Sequence, residues 1–462
     1  MKERESFSNR LGFIIVSVAC AVGLGNIWLL PYRAGTYGGG LYVLLFIFFM
    51  FVVALPVMLT EYAVGRASKQ SIANHYQIMQ PKGTKWHYVS YLCMAGNYLL
   101  MMFYMTVCGF ALAYLVKGVR GELVGASPEA IGAAFGALTS SAPQTVIYML
   151  IIVFAAFGIC FFGLQGGVER FGKIMMSIFF ILIIILVIRS LTLPGALDGV
   201  RFLFVPNPYA VAEHGVFRII HLSMSQAFFS LSVGLGQMAI FGSYFSREGS
   251  LFHQARTVAG MDLAVALLCL LMIFPAAFAF GISPATGAGL VFVTLPNVFN
   301  NMPGTYIWQL LFYVCLVFVS FSTAAAIAET VVTLNMDKMG WSRKKAICVN
   351  LVAVSILCLP ATLGTNLLAG VQPLGFANFS ALFSFLAADV VVPIGAFTYI
   401  AFAVSKRGWG YENYLAEINT GEGAKLPPMS ALRFYLSYIL PLAILFIFLF
   451  GHAQRFFPQL FQ

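Results

Sequence analysis

Apolar runs long enough to cross a bilayer follow one another along almost the whole chain, separated by short polar stretches. An uninterrupted apolar run of about 18 residues or more reads as a membrane-spanning helix, because only a helix satisfies its own backbone in hydrocarbon. The spans fall at roughly 11–35, 41–64, 88–116, 143–163, 171–193, 216–245, 257–280, 304–336, 346–362, 374–404 and 431–451, eleven in all. The longest polar stretches, 117–142 and 405–430, read as loops. The expected fold is therefore all-α and integral to the membrane, a single transmembrane domain over 1–462.

Two spans are interrupted in the same way. The first carries Val22-Gly23-Leu24-Gly25, followed by Asn26, and the sixth carries Val233-Gly234-Leu235-Gly236, preceded by Ser230 and Ser232. The repeat lies five spans apart, so spans one to five and six to ten form like-sized halves of opposite orientation. This is the pattern of a 5+5 inverted repeat with broken helices at the midplane. The first repeat is expected at about 8–195, the second at about 214–405, and an extra helix at about 430–453. Unwound backbone in hydrocarbon costs several kcal/mol per unsatisfied group unless it lines an enclosed cavity. Half-helix N-termini attract a carboxylate and freed carbonyls coordinate a cation. Glycine pairs also serve close helix packing; the matched pair beside polar residues favours a site.

Composition agrees: 60% of residues are hydrophobic and 9% charged, against about a quarter charged in average proteins. Lys and Arg collect on one side, among them Arg10, Arg66, Lys69, Lys82, Lys85, Arg170, Lys173, Lys338, Arg343, Lys344, Lys345, Lys406 and Arg407. The positive-inside rule then places the N-terminus in the cytoplasm and, with eleven spans, the C-terminus outside, in the inner (plasma) membrane. The net charge of +10 is a topology signal and implies no nucleic-acid partner. The start, Met1 to Arg10, precedes an apolar run without a small-residue cleavage site, so a retained first helix is expected. The eight cysteines lie in or beside apolar runs without a CxxC pair, which speaks against a disulfide framework or zinc site.

Four acids fall inside the spans: Glu61, Asp262, Glu329 and Asp389. An ionisable group in a membrane is a functional candidate by default. Glu61 stands near Arg66 and is expected to pair with it. Asp262 lacks a close basic neighbour on its helix, so a bound cation is its natural partner. Glu329, after Ser322 and Thr323, reads as a proton or packing group, and for Asp389 packing is as good an account as function. Gly167 to Lys173 matches a P-loop up to its eighth position, where Ile174 removes the magnesium ligand, and no strand precedes it. Gly234 to Ala239 fits a loose dinucleotide pattern but lies within an apolar helix. There is no HExxH and no catalytic constellation, so no enzyme is expected.

At these residues the chain resembles the neurotransmitter:sodium symporters, with their LeuT-type fold. The similarity runs through Arg10-Leu11-Gly12, the segment Ala21 to Trp28, Pro31-Tyr32, Gly38-Gly39-Gly40, Glu61 to Arg66, Gln226 to Ser232 and Phe292 to Pro296. Eleven spans instead of twelve is similar to a bacterial subgroup. The resemblance implies sodium-coupled import of an amino acid by alternating access, with two sodium sites. Site one would comprise the Ala21 carbonyl, Asn26, Ser230 and Asp262, completed by the substrate carboxylate. Site two would comprise the carbonyls of Ala19, Val22 and Val319 with the hydroxyls of Ser322 and Thr323, in the reverse of the family's usual order. Such oxygen donors suit a hard cation.

The resemblance also implies a pocket of Cys20, Gly23, Leu24, Gly25, Leu100, Tyr104, Phe229, Ser232, Leu235, Ala326 and Ile327. Tyr104 would donate to the substrate carboxylate and Phe229 would lid the pocket. Gly23 stands where monoamine carriers place an Asp, so an amino acid is the implied substrate, and apolar walls imply a neutral, apolar side chain. The outer gate departs from the family. Leu29 stands where an Arg is usual and Ser384 where its Asp partner is usual, which implies closure by apolar packing. Arg33, one turn above, is a further candidate without a nameable partner. At the inner gate Arg4 and Asp337 would pair, with Phe7 in place of the usual Trp and Tyr244 nearby. Asp262, where chloride-dependent members have Asn, implies transport without chloride; it is also a candidate proton-return group.

Overall fold

The computed structural model describes residues 6–207, 209–283, 289–427, 429–457 and 459. Among them nine helices are long and apolar enough to cross a membrane: Gly40–Ser68, Tyr88–Arg120, Ala142–Cys160, Leu164–Leu191, Leu251–Ala279, Thr305–Met339, Arg343–Leu363, Phe379–Val404 and Ser430–Phe456. Arg10–Ala21 and Gly25–Thr36 form a further span bent by 49°. Val216–Ser230 and Gln237–Tyr244 form the last, with residues 231–236 unwound between them. The eleven expected spans are thus present, numbered one to eleven in chain order, and one and six are the broken ones.

Proline sets a second regularity. Four spans and the short helix Leu290–Asn300 carry a wide π-helical turn ending just before a proline: Gly25–Leu29 before Pro31, Met50–Ala54 before Pro56, Leu290–Thr294 before Pro296, Leu386–Val391 before Pro393 and Tyr435–Ile439 before Pro441. Proline lacks an N–H and its ring clashes with the carbonyl four residues back, so the preceding turn widens to let that carbonyl pass.

Short helices occupy stretches expected as loops. Pro128–Ser140 lies within 117–142 and Tyr411–Ile418 within 405–430. The first has ordinary start signals, Ser127 accepting from the Ala130 amide with Pro128 in the first turn. A criterion of apolar length passes over such helices. Span ten begins at Phe379, later than expected, because the Asn378 side chain accepts from the Ala381 amide and caps it there.

Spans three and eight cross at the centre, with spans four, five and nine around them. The second half of span six lies along span two. Any side chain at Gly65 would run into the Ala239 carbonyl, so this approach demands glycine. At the end of span two Arg66 is fully buried, but not against Glu61. Its Nε lies 2.6 Å from Glu417 Oε1 and it also donates to the Gly249 carbonyl at 2.8 Å and the Glu417 carbonyl. The expected Glu61–Arg66 pair is corrected: the loop after span ten supplies the partner, which no local spacing reveals.

Candidate functional site

The two breaks meet at mid-membrane. The first half of span one ends at Ala21, and Val22 turns to extended backbone (φ −76°, ψ 105°). That turn frees the carbonyls of the last helical residues. Span eight passes beside them. The Thr323 hydroxyl lies 2.9 Å from the carbonyls of both Ala19 and Val22 and 3.2 Å from that of Val319. The Ser322 hydroxyl donates to the Val319 carbonyl at 2.9 Å and faces the Met176 sulfur of span five at 3.7 Å. All five residues expected at site two therefore converge, with Thr323 at the centre and Ser322 at its edge.

A second cluster lies beyond the break. Asn26, Ser230 and Asp262 are buried. Asn26 Nδ2 donates to Asp262 Oδ1 at 2.8 Å, and the Ser230 hydroxyl donates to Asp262 Oδ2 at 2.5 Å while standing 3.0 Å from Asn26 Oδ1. Three spans thus contribute one oxygen-bearing side chain each to one point. Ala21 lies beside it on the wall of the adjoining cavity.

That cavity lies between the two breaks. Its walls include Cys20, Gly23, Leu24, Gly25, Leu100, Tyr104, Phe229, Ser232, Leu235 and Ile327. Ala326 is buried and is not part of the wall. The wall also contains Phe228, Val233, Gln237 and Thr323, and span ten adds Ala387, Ala388 and Val392, which sequence reasoning missed. Gln237 directly follows the second glycine pair and was open to detection; the span-ten aliphatics carry no sequence signal. The Tyr104 hydroxyl is buried without a hydrogen-bond partner and sits 3.1 Å from where a side chain at Gly23 would begin. The Phe229 ring lies 2.7 Å from the same point on Gly25. Only glycine at both positions leaves room for these two groups.

The break in span six is tied by side chains. Ser232 adopts φ +50°, a left-handed conformation that a non-glycine residue holds only under constraint, and its hydroxyl donates to the Cys20 carbonyl at 2.9 Å. Glu61 accepts from the Gly234 amide at 2.5 Å. Asn97 donates to the Leu235 carbonyl at 2.9 Å and accepts from Gln237 at 3.0 Å. Asn97, a lone amide in an apolar run, was a signal the sequence offered.

The gates are less symmetrical. Leu29 closes the wide turn of span one and Ser384 lies on the first segment of span ten, both half-buried. Arg33 has a partner on span six: it donates to Gln226 Oε1 at 3.2 Å and to the Leu222 carbonyl at 3.3 Å. Asp389 sits in the wide turn of span ten, within electrostatic reach of Arg33, His452 and Arg455. At the inner end, Arg4 lies outside the described residues. Asp337 accepts from the Ser71 amide at 2.7 Å, and its carbonyl accepts from Asn74 at 2.6 Å. Tyr244 is 3.2 Å from Glu329 and 2.7 Å from Thr333, and Phe7 packs edge-on against it at 5.8 Å. Glu329 pairs with Arg343 and thereby ties span eight to the start of span nine.

Comparison with known proteins agrees with this geometry. The sodium:neurotransmitter symporter family matches residues 4–129 and 138–461. An uncharacterized sodium-dependent transporter of Bacillus subtilis is 31% identical over 446 residues, covering 96% of both chains. One from Haemophilus influenzae is 29% identical over 462 residues, covering 97% of this chain and 98% of the other. The crystal structure of MhsT in complex with L-phenylalanine, a LeuT-type fold, superposes with a TM-score of 0.87 at 33% identity, covering 97% of this chain and 99% of that one. With sequence, span order and coordinates agreeing over nearly the full length, the chain belongs to the sodium:neurotransmitter symporter family and is a sodium-dependent membrane transporter, not an enzyme.

Proposed function

We propose that the chain is a symporter that imports a neutral, apolar amino acid by alternating access, driven by sodium. The observation that carries this reading is the unpartnered Tyr104 hydroxyl in a cavity otherwise walled mainly by glycines and apolar side chains. A buried donor without an acceptor is costly, and a substrate carboxylate supplies the acceptor. The L-phenylalanine bound in the related MhsT structure has the chemistry this cavity suits.

Two sodium ions accompany the substrate. Asn26, Ser230, Asp262 and the Ala21 carbonyl hold one, which the substrate carboxylate completes. The carbonyls of Ala19, Val22 and Val319 with Ser322 and Thr323 hold the other. Because the carboxylate is shared, sodium and amino acid each strengthen the other's binding. The two repeats, about 8–195 and about 214–405, rock against each other in the inner membrane. The N-terminus is cytoplasmic and the C-terminus, after the extra helix at about 430–453, is outside. Leu29 and Ser384 close the outer side by apolar packing, and the inner side closes with Arg4, Asp337 and Tyr244.

Thermal-shift titration tests the substrate reading with leucine, phenylalanine, glycine, glutamate and lysine, each with and without sodium. Leucine and phenylalanine should stabilise the protein, more strongly in sodium. A preference for glutamate or lysine overturns the apolar pocket. The gate has its own test. Leu29→Arg places a lone charge in a dry gate at a cost of about 3 kcal/mol, so adding Ser384→Asp should restore uptake. Equal uptake by the single and double variants sinks that pairing.

A further inference from the structure

Beneath the break in span six lies a group of buried polar atoms that the transport site does not use. Glu61 Oε1 accepts from the Gly234 amide, and Oε2 has no hydrogen-bond partner. Neither do the hydroxyls of Tyr76 and Tyr399, nor either ring nitrogen of His75. All four residues are fully buried. Their rings are adjacent: His75 and Tyr76 centroids lie 4.3 Å apart, His75 and Tyr399 5.3 Å, and Tyr76 and Tyr399 5.6 Å. The Tyr399 hydroxyl lies 2.6 Å from where a side chain at Gly236 would begin, and Gly236 is within reach of the same carboxylate. The four residues therefore form one group: the rings of Tyr399 on span ten and of Tyr76 and His75 on the short helix His75–Met79 are mutually adjacent, with Glu61 of span two beyond Gly236.

Unpartnered buried polar groups are rare in folded proteins and require explanation. Apolar packing alone would favour Phe at these positions, since a phenol without an acceptor costs free energy and returns none. On the short helix that carries His75 and Tyr76, the next residues, Gln77 and Ile78, are exposed. The segment before it is fixed to span eight by the Asp337 contacts to Ser71 and Asn74.

We propose that Glu61, Tyr399, Tyr76 and His75 form a water-bridged proton path from the cytoplasmic face to the break in span six, ending at Glu61 Oε2. His75 takes a proton on its free ring nitrogen and releases one from the other. Each phenol accepts one proton and passes on its own, and Glu61 goes from carboxylate to carboxylic acid. One proton is gained and every intermediate group is restored. Burial pushes the His75 imidazole down to about 3, so it is neutral at working pH, with one nitrogen free to accept. The other titratable groups facing Glu61 are Cys20 of span one, Tyr62 of span two and Cys93 of span three, thiols and a phenol that are ordinarily neutral. Asp337 of span eight is the carboxylate that contacts the segment carrying His75, at the Ser71 amide.

The consequence is a link between cytoplasmic pH and the broken helix. Glu61 as an anion faces the N-terminus of the half-helix Gln237–Tyr244, where negative charge is favoured. Protonation removes that charge and loosens the break, so cytoplasmic acid should slow transport. This inference rests on the family's sodium-dependent transport and not on the apolar-substrate reading.

The test uses full-length protein in oriented proteoliposomes. Uptake of radioactive sodium is read with a mixture of all the standard amino acids outside, so the result does not depend on which of them is carried. The pH is varied on one side at a time. In wild type, acid on the cytoplasmic side should slow uptake severalfold, and acid outside should do markedly less. Tyr399→Phe and His75→Phe should lose the cytoplasmic response while keeping the alkaline rate. Tyr76→Phe is the third variant should either fail to fold. Equal responses to pH on both sides, or Phe variants that melt higher and keep the wild-type response, would show that these are merely unpartnered core groups and overturn the path.

Discussion

The same four residues, Val-Gly-Leu-Gly, interrupt spans one and six, yet the two interruptions are held open differently. In span one the exposed groups are carbonyls, and they meet hydroxyls: Ala19 and Val22 that of Thr323, and Cys20 that of Ser232, each at 2.9 Å. A hydroxyl is a small neutral partner whose place a cation can take beside the same carbonyls. In span six the exposed groups include amides, and they meet a fixed carboxylate, Glu61, with Asn97 and Ser232 tying the flanking backbone. Nothing diffusible replaces these. One break is arranged to exchange partners and the other to stay in shape. Local sequence opens a helix; the neighbouring span decides what the opening does.

The largest effect should come from attacking the fixed break. Glu61→Ala leaves the Gly234 amide without its acceptor and the half-helix N-terminus without its anion. The expected loss is on the order of 3 kcal/mol. A clear fall in melting temperature, together with loss of sodium-stimulated substrate binding, is the predicted result. A variant that melts like wild type would show that the break in span six holds itself open.

Attacking the exchangeable break should spare the fold and harm ion binding. Thr323→Ala removes the hydroxyl shared by three carbonyls. Sodium activation of uptake should then weaken by at least about tenfold, or 1.4 kcal/mol. Ser322→Ala touches one of those carbonyls and should cost about threefold, roughly 0.6 kcal/mol. The double variant should abolish uptake with the melting temperature little changed. Sodium activation curves for the three variants decide the order, and an equal loss from the two single changes would remove Thr323 from the centre.

The span count, the two breaks and the oddity of Asp262 were legible in the chain, because each leaves a local mark: an apolar run, a glycine pair, an acid in hydrocarbon; its meeting with Asn26 and Ser230 was implied only by the family resemblance. What stayed hidden depends on partners distant in sequence. Arg66 was expected beside Glu61 and instead pairs with Glu417, 351 residues away. Arg33 had no nameable partner until Gln226, 193 residues on, came into reach. The aliphatics Ala387, Ala388 and Val392 close the cavity from span ten, yet read in sequence as ordinary lipid-facing residues. The wide turns before prolines lay in between: each proline was visible, but not that its strain would be absorbed one turn earlier.

The smallest expected effect concerns chloride, and it extends the contrast to charge. Spans one and six bring two neutral side chains, Asn26 and Ser230, to the first cluster, and span seven supplies the one carboxylate, Asp262, bonded to both. A sodium ion placed there would be an uncompensated charge in a low-dielectric setting unless an anion stood beside it. Asp262 is such an anion and is covalently fixed, so a mobile chloride has nothing left to neutralise. Replacing chloride by gluconate should leave wild-type uptake unchanged. Asp262→Asn keeps the shape of the site and removes the charge. It should weaken sodium activation, and any uptake that remains should depend on chloride. If wild-type uptake collapses in gluconate, Asp262 is a packing group and the compensating charge at this cluster comes from solution.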